Sequence, residues 1–283
     1  MADDNCIVRT MTHREVDLAI DWAAKEGWNP GLYDAGCFYS ADPTGFFIGL
    51  LGNEPVATIS AVRYGDSLGM IGFYIVKEEH RGRGYGIAIW EAALKYLEGR
   101  NMGGDGVVAQ QENYKKAGFF TAWRNLRHEG QGGGVFPQNP AIKSLSDFPF
   151  ETVDEYDRLF FPEGRRLFLE AWINQPGCKA VGFENNGKLI GCGVIRKCRT
   201  GFKIGPLFAD SREVAGELFK SLISGLGPNE PFYLDTPEDN RDALALAEGF
   251  GMKVMFETAR MYSREKPDIP LNRLYGITSF ELG

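Results

Sequence analysis

Residues that build metal sites are scarce in this sequence. Its 283 residues include three histidines, and its five cysteines are scattered without a Cys-x-x-Cys pair. Zinc sites need cysteine and histidine at short, regular spacings, so the sequence predicts no metal site. An odd, dispersed set of cysteines also favours reduced thiols in a cytosolic compartment over a disulfide framework.

Long apolar runs and an excess of positive charge are missing as well. No segment reaches the roughly 18 apolar residues of a membrane span, and residues 1–20 hold no apolar signal core. The net charge of -7 argues against nucleic acid as a partner and favours a cationic or amine substrate. We therefore expect a cytoplasmic protein that acts on a small molecule, with neither a nucleic-acid nor a membrane partner.

Glycine, by contrast, is abundant, and three glycines cluster in the segment RGRGYG at residues 81–86. An apolar, partly β-branched run at 70–76 precedes this segment and predicts a strand. Apolar residues at helical spacing follow it and predict a helix. The glycines thus lie at a strand-to-helix turn, where the first helix amides have no partner and the helix dipole is positive. Such a turn predicts an anion site, most naturally for a phosphate or pyrophosphate.

Spacing separates the phosphate loops that this turn could form. A P-loop requires Lys-Ser or Lys-Thr after its last glycine, and neither follows here; a Rossmann turn fails because Ile87 stands at its third glycine position. The remaining pattern, Arg81-x-x-Gly84-x-Gly86, resembles the R/Q-x-x-G-x-G/A loop of the GNAT superfamily of N-acetyltransferases. In that superfamily the loop holds the pyrophosphate of acetyl-coenzyme A. A plain glycine-rich turn with solvated arginines is the alternative.

The order of predicted elements around this loop also resembles the GNAT fold. A helix is predicted at 12–28, strands at 45–51, 55–62, 70–76 and 107–109, and helices from the loop to about residue 98 and from 110 to 118. The resemblance covers residues 6 to 128. It implies that the strand 70–76 splays from its neighbour and that its backbone polarises the thioester carbonyl.

A second motif, Tyr114-x-x-x-Gly118-Phe119, resembles the same family. In relatives this tyrosine commonly protonates the departing thiolate of coenzyme A. A phenol with a pKa of about 10 keeps its proton at neutral pH and can donate it to a thiolate. A packed aromatic on an amphipathic helix is the alternative. Asn113 lies nearer to Gly118 than the corresponding asparagine commonly does, so an irregular helix start is expected.

The resemblance therefore implies a catalytic residue and a cofactor site. Tyr114 is the predicted catalytic acid. The residues expected to bind acetyl-coenzyme A are Phe73, Tyr74, Ile75, Val76, Arg81, Gly82, Arg83, Gly84, Tyr85, Gly86, Asn113 and Tyr114.

The second half of the chain repeats the pattern faintly. Strands are predicted at 180–183, 189–197, 202–208 and 232–235, with a helix around 214–223. Its equivalent loop, residues 212–217, has Ala215 and Glu217 where glycines belong, and Ala247 stands where the tyrosine would be. A glutamate in a pyrophosphate cradle repels the ligand, so this half is expected to be structural or to wall the substrate site.

We predict an α/β (α+β) protein with two GNAT units in tandem, each a mixed, mostly antiparallel sheet flanked by helices. An N-terminal domain at 1–129 binds acetyl-coenzyme A, a linker rich in glycine and proline covers 130–150, and a degenerate unit covers 151–283. The whole arrangement resembles tandem acetyltransferases of the YitH type. The likeness is carried by residues 27–31, 203–210, 260–262 and 276–283.

The predicted reaction is direct attack of a neutral amine on the acetyl thioester. Carboxylate, amide and aromatic groups suited to a small cationic amine occur in the loop 28–34 and in the second half: Trp28, Asn29, Tyr33, Asp34 and Asp235. A tight turn whose Trp28 fills the core is the alternative for that loop.

The general base and the acceptor stay open at this stage. Glu112 and His80 lie near the cofactor motifs, and Asp154 and Asp157 are further carboxylates that could face a cleft. A protein or peptide lysine acetyltransferase and a non-catalytic acyl-coenzyme A-binding or sensing protein are the other function classes. A monomer is compatible with two fused units.

Overall fold

The computed structural model describes residues 6–283, which form a thirteen-stranded sheet flanked by eight α-helices. The strands are β1 Ile7–Thr10, β2 Phe46–Leu51, β3 Glu54–Tyr64, β4 Leu68–Val76, β5 Asn101–Val107, β6 Phe120–Gln131, β7 Ile142–Ser144, β8 Lys179–Asn185, β9 Lys188–Lys197, β10 Phe202–Ala209, β11 Pro231–Pro237, β12 Lys253–Tyr262 and β13 Leu274–Gly276. The helices are α1 His13–Lys25, α2 Asp34–Ala41, α3 Tyr85–Tyr96, α4 Gln111–Lys116, α5 Phe150–Asp157, α6 Arg166–Ile173, α7 Arg212–Ile223 and α8 Arg241–Gly249. The mixed, mostly antiparallel α/β architecture predicted from the sequence is confirmed.

Helix α1 begins where the sequence places it. The backbone N–H of Thr12 donates to the carboxylate of Glu15 at 2.8 Å, which ties the first turn together. Val16, Ile20 and Ala23 follow at helical spacing and are buried. This apolar stripe fixes α1 against the sheet.

The two halves of the chain share one continuous sheet. Its order is β1-β2-β3-β4-β5-β12-β6-β11-β10-β9-β8-β7, with β13 paired to β10. Strand β12 from the second half lies between β5 and β6, and β6 from the first half pairs with β11. The last long strand of each half therefore pairs with strands of the other half. The bounds 1–129, 130–150 and 151–283 stay a prediction, and the exchange shows that the halves are hydrogen-bonded to each other.

The parallel strands β4 and β5 separate partway along their length. They pair from Leu68 opposite Asn101 to Ile71 opposite Gly104 and no further. A break in the pairing of β4 with β3 follows, at Phe73, whose φ of 47° lies in the left-handed region. A bulge of this kind bends the strand and increases its twist. The predicted splay of the run 70–76 is confirmed.

The second half has an equivalent opening that is filled. Strands β10 and β11 pair in parallel only where Phe202–Ile204 faces Phe232–Leu234. Beyond that point β13 pairs with β10, and the N–H of Ile277 donates to the carbonyl of Asp235 at 2.9 Å. The C-terminal segment of the chain thus occupies the wedge in its own half.

An aromatic core joins the halves beneath the sheet. Phe38 of α2 stacks on Phe168 and Trp172 of α6, with ring centroids 6.3 and 5.7 Å apart. All three side chains are buried. Because α2 and α6 come from different halves, this cluster fixes one half against the other. Within residues 6–283, no helix has the length and apolar character needed to cross a membrane.

Candidate active site

A cavity of about 390 Å³ opens where β4 and β5 separate. Both halves of the chain line it. The first half contributes Glu26, Trp28, residues 71–76, Arg81, Asp105, Val107, Ala109, Gln110 and Tyr114, and the second half contributes Phe256, Thr258, Phe280 and Glu281. Four of the predicted cofactor residues, Phe73 to Val76, form one wall.

The bulge on β4 shapes that wall. The hydroxyl of Thr58 donates to the carbonyl of Phe73 at 2.9 Å and holds the bulged residue in place. The ring of Phe73 is buried against Phe38, with 5.6 Å between centroids. Past Ile71 the polar backbone groups of β4 that face β5 have no ladder partner. They are therefore free to bond a ligand that enters between the strands.

The glycine loop borders the cavity through Arg81. Gly82 and Gly84 have φ of 76° and 89°, and Gly84 is the N-cap of α3 with no side chain closing the helix end. A Cβ added at either position would meet no atom within 4 Å, so the space over the loop is open. A Cβ at Gly86 would lie 2.8 Å from the hydroxyl of Tyr74, which shows how closely α3 approaches β4. The geometry is that of an anion cradle at a helix N-terminus.

The two arginines of the loop are placed differently. The Nε of Arg81 donates to the carbonyl of Val76 at 2.9 Å, and its Nη2 lies 2.6 Å from the carboxylate of Glu26. Arg81 therefore ties the loop to β4 and to the end of α1. Arg83 is exposed and has no ion pair within the described residues.

Tyr114 lies on the short helix α4, and the cavity reaches it. Its half-buried ring packs edge-on against Trp90 and Phe119, with centroids 5.5 and 5.8 Å away. Burial, with smaller contributions from Tyr74 and Asp105, raises the pKa of the phenol. Its hydroxyl makes no hydrogen bond to the described residues. A protonated, unengaged phenol at the cavity suits a proton donor.

Two other predicted cofactor residues, Asn113 and Tyr85, are not among the residues that line the cavity. Asn113 is exposed, and its side chain donates to Oε1 of Gln110 at 2.8 Å. Tyr85 is buried at the start of α3, beside His80 with 6.1 Å between ring centroids. Both help to fix the shape of the segments that carry the loop and α4.

The acceptor residues predicted around Asp34 are mostly used by the fold. Asp34 is fully buried, accepts from Arg196 at 2.8 and 3.1 Å, and accepts from the N–H of Gly31 at 2.8 Å. Arg196 also stacks over the ring of Trp172 at 4.2 Å. The carboxylate therefore joins the two halves and does not face the cavity.

Of the remaining predicted acceptor residues, three do not line the cavity and one does. Asn29 exchanges two hydrogen bonds of 2.9 Å with the backbone of Thr200, and Tyr33 is 49% exposed on the surface. Asp235 is buried and held by two bonds of 2.7 Å from Arg127. Trp28 lines the cavity.

The two base candidates, Glu112 and His80, and the two further carboxylates, Asp154 and Asp157, are likewise engaged elsewhere. Glu112 is exposed and paired with Lys115 at 2.7 Å, while His80 lies 3.5 Å from Glu54. Asp154 and Asp157 bind arginines of their own half, Arg158 and Arg165. None of the four lines the cavity among the described residues.

Sequence reasoning missed the residues that the second half and β5 bring to the site. Asp105 is held by Asn125, Thr258 and Arg260 at 2.7, 3.2 and 2.8 Å, and burial raises its pKa. Phe280 and Phe256 flank the guanidinium of Arg127, at 4.7 and 5.7 Å from their ring centres. The ending 276–283 stood out in the sequence as similar to YitH-type proteins, but no pattern showed which half it contacts.

Two family models match the chain. The model described as "Acetyltransferase (GNAT) family" matches residues 14–122, and the model described as "Acetyltransferase (GNAT) domain" matches residues 153–276. The matches follow one another and do not overlap. The chain therefore belongs to the GNAT acetyltransferases, with two units in tandem, and is an acyltransferase.

Relatives of similar length align with most of this chain. The holothin acyltransferase of Pseudoalteromonas sp. (strain SANK 73390) is 29% identical over 269 residues, which cover 95% of this chain and 92% of that protein. YitH, an uncharacterized N-acetyltransferase of Bacillus subtilis (strain 168), is 24% identical over 219 residues, covering 75% and 76% of the two chains. A crystal structure from Pyrococcus horikoshii has the same fold, with a TM-score of 0.83 and 24% identity over 98% of this chain and 96% of that chain.

Proposed function

We propose that this acyltransferase moves an acetyl group from acetyl-coenzyme A to a small amine by direct attack. One observation carries the proposal: the wedge between β4 and β5 is open, bulged and bordered by a glycine cradle. The matching wedge in the second half is filled by β13. The donor therefore has one place to bind.

The residues at this wedge fit acetyl-coenzyme A. The open space over Gly82 and Gly84 leaves room for a pyrophosphate at the first amides of α3, and Arg83 adds positive charge there. When bound, acetyl-coenzyme A supplies an acetyl thioester. The unpaired backbone amides past Ile71 would bond its carbonyl oxygen, and Tyr114 would give its proton to the leaving sulfur.

The acceptor end of the cavity suits a small amine. Trp28, Phe256 and Phe280 supply apolar walls, and Glu281 supplies a carboxyl that makes no hydrogen bond to the described residues. Aromatic faces and carboxylates together attract a cation. The likeness to the holothin acyltransferase extends over nearly the whole of both chains, which supports acyl transfer by this chain.

An acceptor screen tests this function. Purified protein is incubated with acetyl-coenzyme A and a library of small primary amines, amino acids and lysine peptides, and free thiol and product mass are measured. We expect saturable acetylation of a small cationic amine. Faster acetylation of a lysine peptide would favour the protein acetyltransferase class. Binding of acetyl-coenzyme A without thiol release for any acceptor would favour a sensing role.

A further inference from the structure

Glu281 stands out among the residues that line the cavity. Its side chain is 3% exposed, and neither carboxylate oxygen has a hydrogen-bond partner within residues 6–283. The other cavity carboxyls are engaged: Asp105 accepts from three side chains, and Glu26 pairs with Arg81. A buried carboxyl without partners is costly for folding, which indicates a functional role for Glu281 at this place.

The C-terminal tail carries Glu281 from the second half into the first. After β13, the side chain of Arg165 donates to Thr278 Oγ1 at 2.8 Å and to the carbonyl of Gly283 at 3.1 Å, which anchors both ends of the tail. A methyl group added at Gly72 would overlap the carbonyl oxygen of Glu281. Gly72 directly precedes the bulge at Phe73, so the tail lies against the part of β4 that faces the proposed thioester.

We propose that Glu281 is the general base that receives the proton of the attacking amine. The inference rests on the proposed function. As the bond forms between the amine nitrogen and the acetyl carbon, the carbon–sulfur bond breaks and its electron pair leaves with sulfur. The nitrogen loses its proton to the Glu281 carboxylate, and sulfur gains one from Tyr114. Charge and atoms balance without a further reactant.

The surroundings of Glu281 favour this role. Burial raises the pKa of its carboxyl, while the nearby Lys203, Arg127 and Arg196 oppose that rise and Asp34 adds to it. Lys203 is itself buried, and its ammonium reaches just the carbonyl of Trp28, at 3.4 Å. A carboxylate with a raised pKa is a stronger base than an ordinary one at neutral pH.

Glu281→Gln tests the proposal through kinetics, using the amine that the wild type acetylates best. Loss of a general base lowers turnover by roughly 10²–10⁴-fold. We expect that fall, loss of the acidic limb of the pH–rate profile, and an unchanged Kd for acetyl-coenzyme A. Glu265→Gln is the matched control, since Glu265 is exposed on the segment before the tail and has no side-chain partner in the described chain; its kinetics should equal those of the wild type.

Thermal unfolding gives a second readout that needs no substrate. The carboxyl of Glu281 has a raised pKa in the folded state, so its ionisation destabilises the fold as pH rises above the unfolded pKa. Glutamine cannot ionise. Glu281→Gln should therefore melt at a higher temperature than the wild type at pH 8, with no difference at pH 4.

The outcomes separate the two proposals. A variant that turns over as fast as the wild type, or that melts at a lower temperature at pH 8, would overturn the assignment of Glu281 while leaving acetyl transfer intact. A wild type that acetylates no amine would instead reject the proposed function.

Discussion

Two buried ion pairs join the halves of the molecule, Asp34 with Arg196 and Asp235 with Arg127. Both carboxylates resemble substrate ligands in the sequence because each lies beside aromatic residues in a short segment. Their partners lie more than a hundred positions away along the chain, and sequence spacing carries no trace of them. The predicted role of Asp34 and Asp235 in substrate binding was therefore wrong, because both carboxylates hold the fold together.

Replacement of Asp34 should therefore act on stability. Asp34→Asn leaves the guanidinium of Arg196 buried without its counter-charge, which costs about 3–5 kcal/mol. Asp21→Asn is the control, because Asp21 also pairs with an arginine of the other half, Arg199, but at the surface, where a pair contributes about 0–1 kcal/mol. Urea unfolding at neutral pH measures both. Equal, small losses would show that the buried pair contributes no more than the exposed one.

Tyr114 should act on turnover. Tyr114→Phe keeps the ring against Trp90 and Phe119 and removes the hydroxyl, which bonds no described residue. We expect kcat to fall by roughly 10²–10⁴-fold with the Kd of acetyl-coenzyme A unchanged, since the proton is needed only as the thiolate leaves. Thiol-release assays measure kcat, and titration calorimetry measures the Kd of acetyl-coenzyme A. A kcat equal to that of the wild type would assign Tyr114 to the core.

At the scale of elements, periodicity predicted α1, α3 and the strands of both hairpins because their apolar residues repeat at helical or strand spacing. Strand β5 was misplaced: a strand was predicted at 107–109, whereas the structure has it at Asn101–Val107, followed by a 3-10 turn at Val108–Gln110. Its sequence NMGGDGV has too few apolar residues to show as a strand. Glycine is required there, because a Cβ at Gly103 would lie 2.7 Å from the ring of Tyr262 on β12. The tertiary contact decides the strand.

The two ends of α3 offer a matched test of the cradle. Gly84 and Gly99 have φ of 89° and 87°, and a Cβ at either would meet no atom within 4 Å. Alanine at each position should cost about 1–3 kcal/mol of backbone strain. A methyl group at Gly84 would occupy the open space proposed for the pyrophosphate, so Gly84→Ala should lose at least one charged hydrogen bond to it. That loss would weaken acetyl-coenzyme A binding about tenfold or more. Gly99→Ala should bind it as the wild type does. Equal affinities, measured by calorimetry, would place the pyrophosphate elsewhere.

At the scale of the whole molecule, the tandem organisation was readable from repeated elements, but the exchange of β6 and β12 was not. Each strand has a pattern that fits either sheet, so local sequence does not specify which partner it takes. The exchange explains why the site was predicted incompletely. It brings Phe256 and Thr258 of β12 beside β5, and the tail brings Phe280 and Glu281. The second unit therefore lines the first unit's cavity. Forming such a wall was one of the two roles expected for it from the sequence.

In the proposed function, one wedge of the sheet is open to the donor and the other is closed by β13. Calorimetric titration of the full chain with acetyl-coenzyme A tests it most directly. The open cradle at Gly82 and Gly84 and the filled wedge beside Leu207 predict one site per chain. Two equivalent sites, or no binding at all, would contradict the account.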